Sequence, residues 1–350
     1  MLVSDFDFDL PPERIAQVPA EPRDAARLLV FDRSDGSVTD TVFRELPAWL
    51  TPRDLLVVND TRVLPHRLCG VRHSGGRVEA LVVSRQGHRC RGWLKPARKL
   101  RPGESVALED GALSLVPVGT RDADGLVDFE LRLPDGGVDE AELTAVLDRV
   151  GRAPLPPYIA RDDDDRMADR QRYQTVFATA PGAVAAPTAG MHFTPELLAT
   201  VRASGTEVVA VTLHVGPGTF APVRVDRVED HRMHAERYVL DAEVAAAVQR
   251  TRAAGGRVFA VGTTAARTLE SCAAPGRTVQ PGTGDTDLFL YPGRPLGVLD
   301  ALLTNFHLPR STLLMLVAAL TGRDRILELY RGAIERGYRF YSYGDAMLIV

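Results

Sequence analysis

Arg77-Val-Glu-Ala-Leu-Val-Val83, Glu104-Ser-Val-Ala-Leu108, Leu113 to Val118 and Val127-Asp-Phe-Glu-Leu-Arg-Leu133 are short runs in which apolar and polar residues alternate. Gly or Pro turns separate them, and no helical pattern intervenes between about Leu64 and Leu133. Closely spaced strands of period two predict a small antiparallel β-barrel. On the amino-terminal side the texture differs. Leu28 to Phe31 reads as a strand, Val42 to Leu50 as a helix closed by Thr51-Pro52, and Leu55 to Val58 as a buried strand.

After Gly151 helices alternate with strands again. Helices are predicted over Pro195–Ala203, Ala242–Ala254, Ala265–Cys272, Thr312–Leu320 and Arg325–Arg336. Strands are predicted over Val208–Leu213, Val258–Val261 and, at the end of the chain, Tyr338–Tyr343. An all-β block bracketed by such α/β layering is an inserted domain. The expected division is an α/β main domain from 1–64 and 151–350 and an inserted antiparallel β-barrel domain over 65–150. No internal repeat is visible.

The 350 residues exceed the usual single core, which agrees with two domains. A content of 45% hydrophobic and 25% charged residues excludes wholesale disorder. The longest apolar run, Leu313 to Leu320, is too short to span a membrane, and the acidic start Met1 to Asp9 lacks the features of a signal peptide. A cytoplasmic protein without a membrane partner is therefore expected. Cys69, Cys90 and Cys272 are too few and too far apart for a disulfide framework or a cysteine zinc site, and read as buried thiols.

The net charge of -4 argues against a nucleic-acid partner until its distribution is considered. From Arg62 to Arg101 there are eleven basic residues against the single acid Glu79, a local balance of +10. The only two lysines among the 42 basic residues, Lys95 and Lys99, flank Arg98 in this stretch. A lysine ammonium is a compact, strongly hydrated charge suited to phosphate, so the segment reads as a basic stripe for an anionic partner rather than a merely solvated face.

No Walker A loop is present, because neither lysine follows a glycine, and Gly216-Pro-Gly218 lacks the third glycine of a dinucleotide fingerprint. The remaining candidates are polar loops that follow apolar segments, where α/β folds bind ligands. They are Pro187 to Thr194, Thr212 to Phe220, Gly262-Thr263-Thr264 and Asn305 to Pro309. His192, His214, His231, His234 and His307 all lie in such loops or beside them. His231 and His234 have a helical i, i+3 spacing, but neither HExxH nor a cysteine partner accompanies them, so no metal is expected. Arg161 to Asp169, with four consecutive aspartates, reads as a solvated loop.

Further motifs run along the chain in order. They include Phe6-Asp-Phe-Asp-Leu-Pro11, Asn59-Asp-Thr-Arg-Val63, Gly151-Arg-Ala-Pro-Leu-Pro-Pro-Tyr-Ile159, Arg172-Tyr-Gln-Thr-Val176 and Ala185-Ala-Pro-Thr-Ala-Gly190. Others are Thr212-Leu-His-Val-Gly-Pro-Gly-Thr-Phe220, His231-Arg-Met-His-Ala-Glu236, Val261-Gly-Thr-Thr264, Leu303-Thr-Asn-Phe-His-Leu-Pro309 and Tyr341-Ser-Tyr-Gly-Asp345. Together they resemble the S-adenosylmethionine:tRNA ribosyltransferase-isomerase family of queuosine biosynthesis over essentially the whole chain. Small departures are His66, where the family pattern has Ala, and Met191, where it has Leu.

The resemblance implies an α/β domain with an inserted barrel, and a transferase that works on tRNA with a GUN anticodon as a monomer. Its implied reaction moves the ribosyl part of S-adenosylmethionine onto 7-aminomethyl-7-deazaguanine at the wobble position. The ribosyl part is isomerised to give epoxyqueuosine, and adenine and methionine are released. S-adenosylmethionine is a substrate here, and no cofactor is implied.

Residue chemistry suggests roles within that reaction. A base near neutrality must remove a ribose C5′ proton made acidic by the sulfonium, and His214 and His192 are the candidates, with His234 and Glu236 behind them. Gly262, Thr263 and Thr264 at a helix start, with Arg267, suit the methionine carboxylate. Phe193, Phe220 or Tyr343 suit the sulfonium or adenine, and Asp345 or Glu270 the methionine ammonium. Gly216 and Gly218 let backbone approach the ligand. Asp60, Arg62, Lys95, Arg98, Lys99, Asn305 and His307 are the candidates for tRNA or the modified base. Two other classes are kept open: a metal-dependent nucleotide hydrolase using the histidines with Asp162 to Asp165, and a non-catalytic RNA-binding protein.

Overall fold

The computed structural model describes residues 1–122, 125–160, 166–220 and 223–350. The described chain forms two compact units, one of residues 1–62, 158–160 and 174–350, the other of 63–157 and 166–173.

In the first unit, β1 (Arg27–Phe31), β2 (Val38–Val42) and β3 (Leu55–Asn59) come early, and β4 (Thr61–Val63) is a short extension. β11 (Ala180–Ala183) pairs with β4, and β12 (Glu207–Leu213), β13 (Glu236–Leu240), β14 (Val258–Val261) and β17 (Gly282–Thr286) follow. β15 (Ala273–Ala274) and β16 (Thr278–Val279) pair only with each other. β18 (Ala301–Asn305) and β19 (Ala346–Ile349) complete a nine-stranded sheet in the order β17-β13-β12-β3-β14-β18-β19-β1-β2.

At its centre β12, β3, β14 and β18 run parallel to one another. A parallel sheet is covered on both faces, and every residue of β3 is accordingly buried. Leu55 and Val57 enter one core with the helices α4 (Ala242–Ala253), α5 (Gly262–Ser271), α6 (Thr312–Thr321) and α7 (Arg323–Glu335). Leu56 and Val58 enter the other with α3 (Pro195–Ala203). Each such side chain contributes about 1.5–3 kcal/mol by leaving water.

Local chemistry sets the helix starts. Thr194 caps α3 by accepting the Leu197 amide at 3.1 Å with Pro195 at the first helical position, and Ser311 caps α6 by accepting the Leu314 amide at 3.2 Å. Three expectations require correction. Val42 to Leu50 forms a 3-10 helix over Phe43–Trp49, with Pro47 inside it removing an amide donor. α5 begins at Gly262 rather than Ala265, because Gly262 takes φ +86° and turns the chain directly from strand to helix. The last strand is Ala346–Ile349, not Tyr338–Tyr343. Tyr341 has φ +77°, and the Asp345 carboxylate folds the segment back by accepting the amides of Arg27 and Arg339.

The second unit is a closed six-stranded antiparallel barrel, as the alternating runs predict. Its strands are β5 (Arg67–Val71), β6 (Arg77–Gln86), β7 (Arg89–Lys95), β8 (Val106–Leu108), β9 (Leu113–Pro117) and β10 (Val127–Arg132), closed in the order β10-β7-β6-β5-β8-β9. Inward residues such as Leu68, Ala80, Val82, Leu115 and Phe129 fill it. Gly92 lies so close to β6 that a Cβ there would come within 2.0 Å of the Leu81 carbonyl oxygen.

Two α-helices lie among the described residues of this unit. α1 (Glu140–Val150), capped by Asp139 accepting the Glu142 amide at 2.8 Å, adds Leu143, Val146 and Leu147 to the barrel core. α2 (Arg166–Arg172) occupies a stretch read from sequence as part of a solvated loop, while Asp162 to Asp165 lie outside the described residues.

The unit extends beyond residue 150 because of one carboxylate. Glu109, 1% exposed at its side chain, accepts the Cys69 amide at 2.6 Å, the Arg152 guanidinium at 3.0 Å and the Arg166 guanidinium at 3.0 Å. It thereby holds the segments after α1 and at the start of α2 to the barrel, and also a turn in which Glu109 and Asp110 have φ of 46° and 59°. Removing this acid takes a buried acceptor away from the Cys69 amide and from both guanidinium groups. Glu109→Ala is expected to lower stability by about 3–5 kcal/mol. Urea unfolding followed at Trp93 in a Trp49→Phe background measures the loss, and an unchanged midpoint would contradict this account.

Candidate active site

Because β12, β3, β14 and β18 are parallel neighbours, their carboxyl ends lie along one edge of the sheet. That edge carries Asp60 and Thr61, His214, Gly262 and Asn305. It is where doubly wound sheets receive ligands.

Asn59 is fully buried and ties two of these ends together. Its Oδ1 accepts the amides of Thr61 at 3.1 Å and Leu213 at 3.0 Å, and its Nδ2 donates to the Leu213 carbonyl at 3.1 Å. Asp60 accepts the hydroxyls of Thr212 at 2.7 Å and Thr179 at 2.9 Å. Next to them, Thr61 Oγ1 lies 2.8 Å from His214 Nδ1. The imidazole is half-buried, and burial lowers its pKa below the ordinary value, opposed by Asp60 and assisted by Arg237. Gly182, at φ +151°, packs against the ring, where a Cβ would stand 2.8 Å from Cε1 and Nδ1.

The loop after His214 rests on a buried ion pair. Glu236 and Arg267 bond to each other, each with a side chain 6% exposed. Glu236 also accepts the Gly216 amide at 2.9 Å, and Arg267 donates to the carbonyls of Leu288 and Thr286. Both groups thus hold backbone. Gly218 abuts the exposed ring of His234, where a Cβ would come within 2.5 Å of Cδ2. The side chain of Phe220 lies outside the described residues.

A third group gathers around Asn305. Its Nδ2 donates to the Tyr341 carbonyl at 3.1 Å and faces His192 Nε2 at 3.2 Å, while its Oδ1 accepts from Thr188 at 3.0 Å. Since the Tyr341 carbonyl can only accept, Nε2 of His192 accepts from the same NH2 group and is unprotonated. His192 is buried against Phe43, with ring centroids 4.9 Å apart, and burial pushes its pKa down to about 4. His307 is likewise buried, bonded to Thr304 at 2.8 Å, with its pKa pushed down to about 3. Phe193 is wholly buried between Phe43 and Phe177.

At the start of α5, Gly262 faces Ala189 of the Thr188–His192 turn, and Thr263 is buried. Thr264 Oγ1 is buried and has no hydrogen-bond partner among the described residues. The first-turn amides and this hydroxyl are donors of the kind that hold a carboxylate or phosphate. Glu270 stands at the other end of α5, about 12 Å away along the axis at 1.5 Å per residue. Its carboxylate accepts three backbone amides, from Gly297, Val298 and Leu299. Asp345 is similarly engaged with the amides of Arg27 and Arg339, and Tyr343 is buried.

The barrel unit carries the basic stripe. Arg67, Arg72 and Arg91 are paired with Glu79, Glu104 and Asp122. Lys95, Arg98 and Lys99 are exposed and make no ion pair with the described residues, the last two on a 3-10 turn over Ala97–Lys99. Arg62 is also exposed. No group of three or more His, Cys, Asp or Glu side chains is arranged for a metal ion among the described residues. Cys90 and Cys272 are buried, whereas Cys69 is half-buried.

A sequence model described as queuosine biosynthesis protein matches residues 3–349. The chain belongs to that family. It is 51% identical to an S-adenosylmethionine:tRNA ribosyltransferase-isomerase from Trichlorobacter lovleyi, covering 100% of both chains. It is 50% identical to the corresponding protein of Geobacter metallireducens with the same coverage. The crystal structure of S-adenosylmethionine tRNA ribosyltransferase from Thermotoga maritima is 36% identical with a TM-score of 0.56, covering 99% of this chain and 100% of that one.

In this queuosine biosynthesis protein the residues with no role assigned from sequence are Asn59, Thr61, Thr179, Gly182, Thr188 and Thr212. Asn59, Thr61, Thr188 and Thr212 sit inside family motifs, which is the sequence signal that marks them. Gly182 becomes visible only through its packing on His214. The buried histidines have a consequence for stability. Below about pH 6.5 the unfolded chain protonates them, while the folded chain keeps His192 neutral to about 4 and His307 to about 3. The stability present above pH 6.5 is therefore lost as pH falls through this window, by about 1.4 kcal/mol per pH unit for each histidine. Urea unfolding of His192→Gln between pH 6.5 and 5 should show a shallower loss by about that amount, and an unaltered slope would refute it.

Proposed function

We propose that the chain is an S-adenosylmethionine:tRNA ribosyltransferase-isomerase. It transfers the ribosyl part of S-adenosylmethionine to 7-aminomethyl-7-deazaguanine in tRNA with a GUN anticodon and releases adenine and methionine. The structural observation that carries this reading is the placement of His214, half-buried and with a lowered pKa, at the carboxyl edge of the parallel strands. A base there is neutral at physiological pH and able to take a C5′ proton from the sulfonium-activated ribose. The adjacent α5 start, with Thr263, Thr264 and the Thr264 hydroxyl, suits the methionine carboxylate. The Glu236–Arg267 pair fixes the backbone of the His214 loop at Gly216.

For the tRNA, the exposed Lys95, Arg98 and Lys99 supply cations not neutralised by described acids. A wobble base already lies in a single-stranded loop, so phosphate contacts can hold the stem while one base enters a pocket. The reading includes a monomer in the cytoplasm, with S-adenosylmethionine as substrate and no resident cofactor. No helix among the described residues is long and apolar enough to cross a membrane.

Incubation with S-adenosylmethionine and tRNA carrying the 7-aminomethyl base should yield adenine, methionine and epoxyqueuosine. His214→Gln should abolish adenine release while sparing both affinities, because the imidazole acts in the transition state. Turnover by His214→Gln near the wild-type rate would sink the assignment. Separately, a Lys95→Ala, Lys99→Ala double variant should weaken tRNA binding and reduce its salt slope by about one unit for each lost phosphate contact. Retention of wild-type tRNA affinity and slope would remove these lysines from the interface.

A further inference from the structure

The proposed reaction needs one nitrogen of His214 unprotonated, and an imidazole alone does not decide which. This inference rests on the reading of His214 as proton acceptor. Nδ1 lies 2.8 Å from Thr61 Oγ1, whereas Nε2 makes no hydrogen bond with the described residues. Thr61 Oγ1 has a single proton and a second neighbour, the Ala180 carbonyl oxygen at 3.5 Å, which can only accept. When that proton goes to Ala180, the hydroxyl oxygen accepts from Nδ1–H. We infer that Thr61 is a positioning residue that fixes the Nδ1–H tautomer of His214 and so leaves Nε2 as the basic nitrogen.

The surroundings make this contact rigid. Thr61 is fully buried. Its amide and that of Leu213, the residue before His214, both donate to Oδ1 of Asn59, so one carboxamide sets the spacing between the two backbones. Gly182 closes the ring from one side, leaving no room for the imidazole to swing towards it. The charged groups that act on the ring are Asp60 and Arg237. The Asp60 carboxylate is engaged by the hydroxyls of Thr212 and Thr179, so it influences His214 through its field. The tautomer is therefore left to Thr61. A partner on the second ring nitrogen that sets the tautomer is a general device of reactive histidines.

The test uses the full chain, wild type and with Thr61→Val, Thr61→Ser or His214→Gln, in assays of adenine release and in 15N spectra of histidine-labelled protein. Wild-type His214 is expected to carry its proton on Nδ1. Thr61→Val should shift the ring toward the Nε2–H form and lower kcat by about 10- to 100-fold, the range seen when an orienting partner of a ligating histidine is lost. Its KM for S-adenosylmethionine should stay within about twofold, as expected when ground-state binding is untouched. The acid limb of its kcat profile should move to lower pH, because the imidazolium loses an acceptor. Thr61→Ser, which keeps the hydroxyl, should restore both tautomer and rate.

A wild-type ring protonated on Nε2 overturns the inference, as does a Thr61→Val enzyme with wild-type kcat. Should Thr61→Val fail to fold, the wild-type tautomer alone decides. Loss of turnover in His214→Gln with full turnover in Thr61→Val would defeat the inference and leave the reading of His214 standing. Full turnover in His214→Gln would defeat that reading itself.

Discussion

Parallel pairing of β12, β3, β14 and β18 is the constraint from which the chemistry follows. Strands that run the same way must be joined by crossovers, and each crossover returns the chain to the opposite edge before the next strand begins. Every strand exit in the group then falls on one side. Polar loops separated by long stretches of sequence meet there because the strands between them are buried on both faces and have no freedom to slip. Asn59 completes the arrangement at atomic scale by binding amides on both β3 and β12 sides of the edge.

A second regularity is the use of buried or half-buried carboxylates as clasps. Glu109 and Asp345 are buried, the first binding an amide and two guanidinium groups and the second amides from Arg27 and Arg339, while the half-buried Glu270 binds three amides of one loop. Glu236 divides itself between Arg267 and the Gly216 amide. An ionised acid can remain inside a protein only when its lone pairs are met in this way. Acidic residues within motifs are consequently architecture as often as chemistry, and only their hydrogen-bond partners distinguish the two.

Much of the architecture was legible in the sequence where periodicity acts alone. The barrel strands alternate cleanly because one face points inward, and α3 carries both its cap and its first-turn proline. Expectations failed where tertiary contacts override local preference. Thr263 and Thr264 are β-branched and poor helix formers, yet the Gly262 turn places them in the first turn of α5. Tyr338 to Tyr343 is rich in strand-forming aromatics, yet Tyr341 adopts a left-handed conformation while Tyr338 and Phe340 pack around Phe306. Within the site, the loop of His214 could be found from sequence, but its partners could not. Thr61 lies 153 residues away, and burial separates the half-exposed His214 from the buried His192 and His307, although all five histidines of this half are loop-associated by sequence.

The almost complete replacement of lysine by arginine has a chemical consequence. Arginine is not acylated by ordinary amine-directed reagents, so Lys95 and Lys99 are the sole side-chain amines of the chain. Both are exposed on the barrel unit, and the remaining amine, at Met1, is paired with Glu229 at 2.6 Å. Covalent modification of side-chain amines is thus confined to one five-residue segment, Lys95 to Lys99, of one unit. The protein carries, in its own composition, a site-selective attachment point remote in sequence from the loops that surround His214.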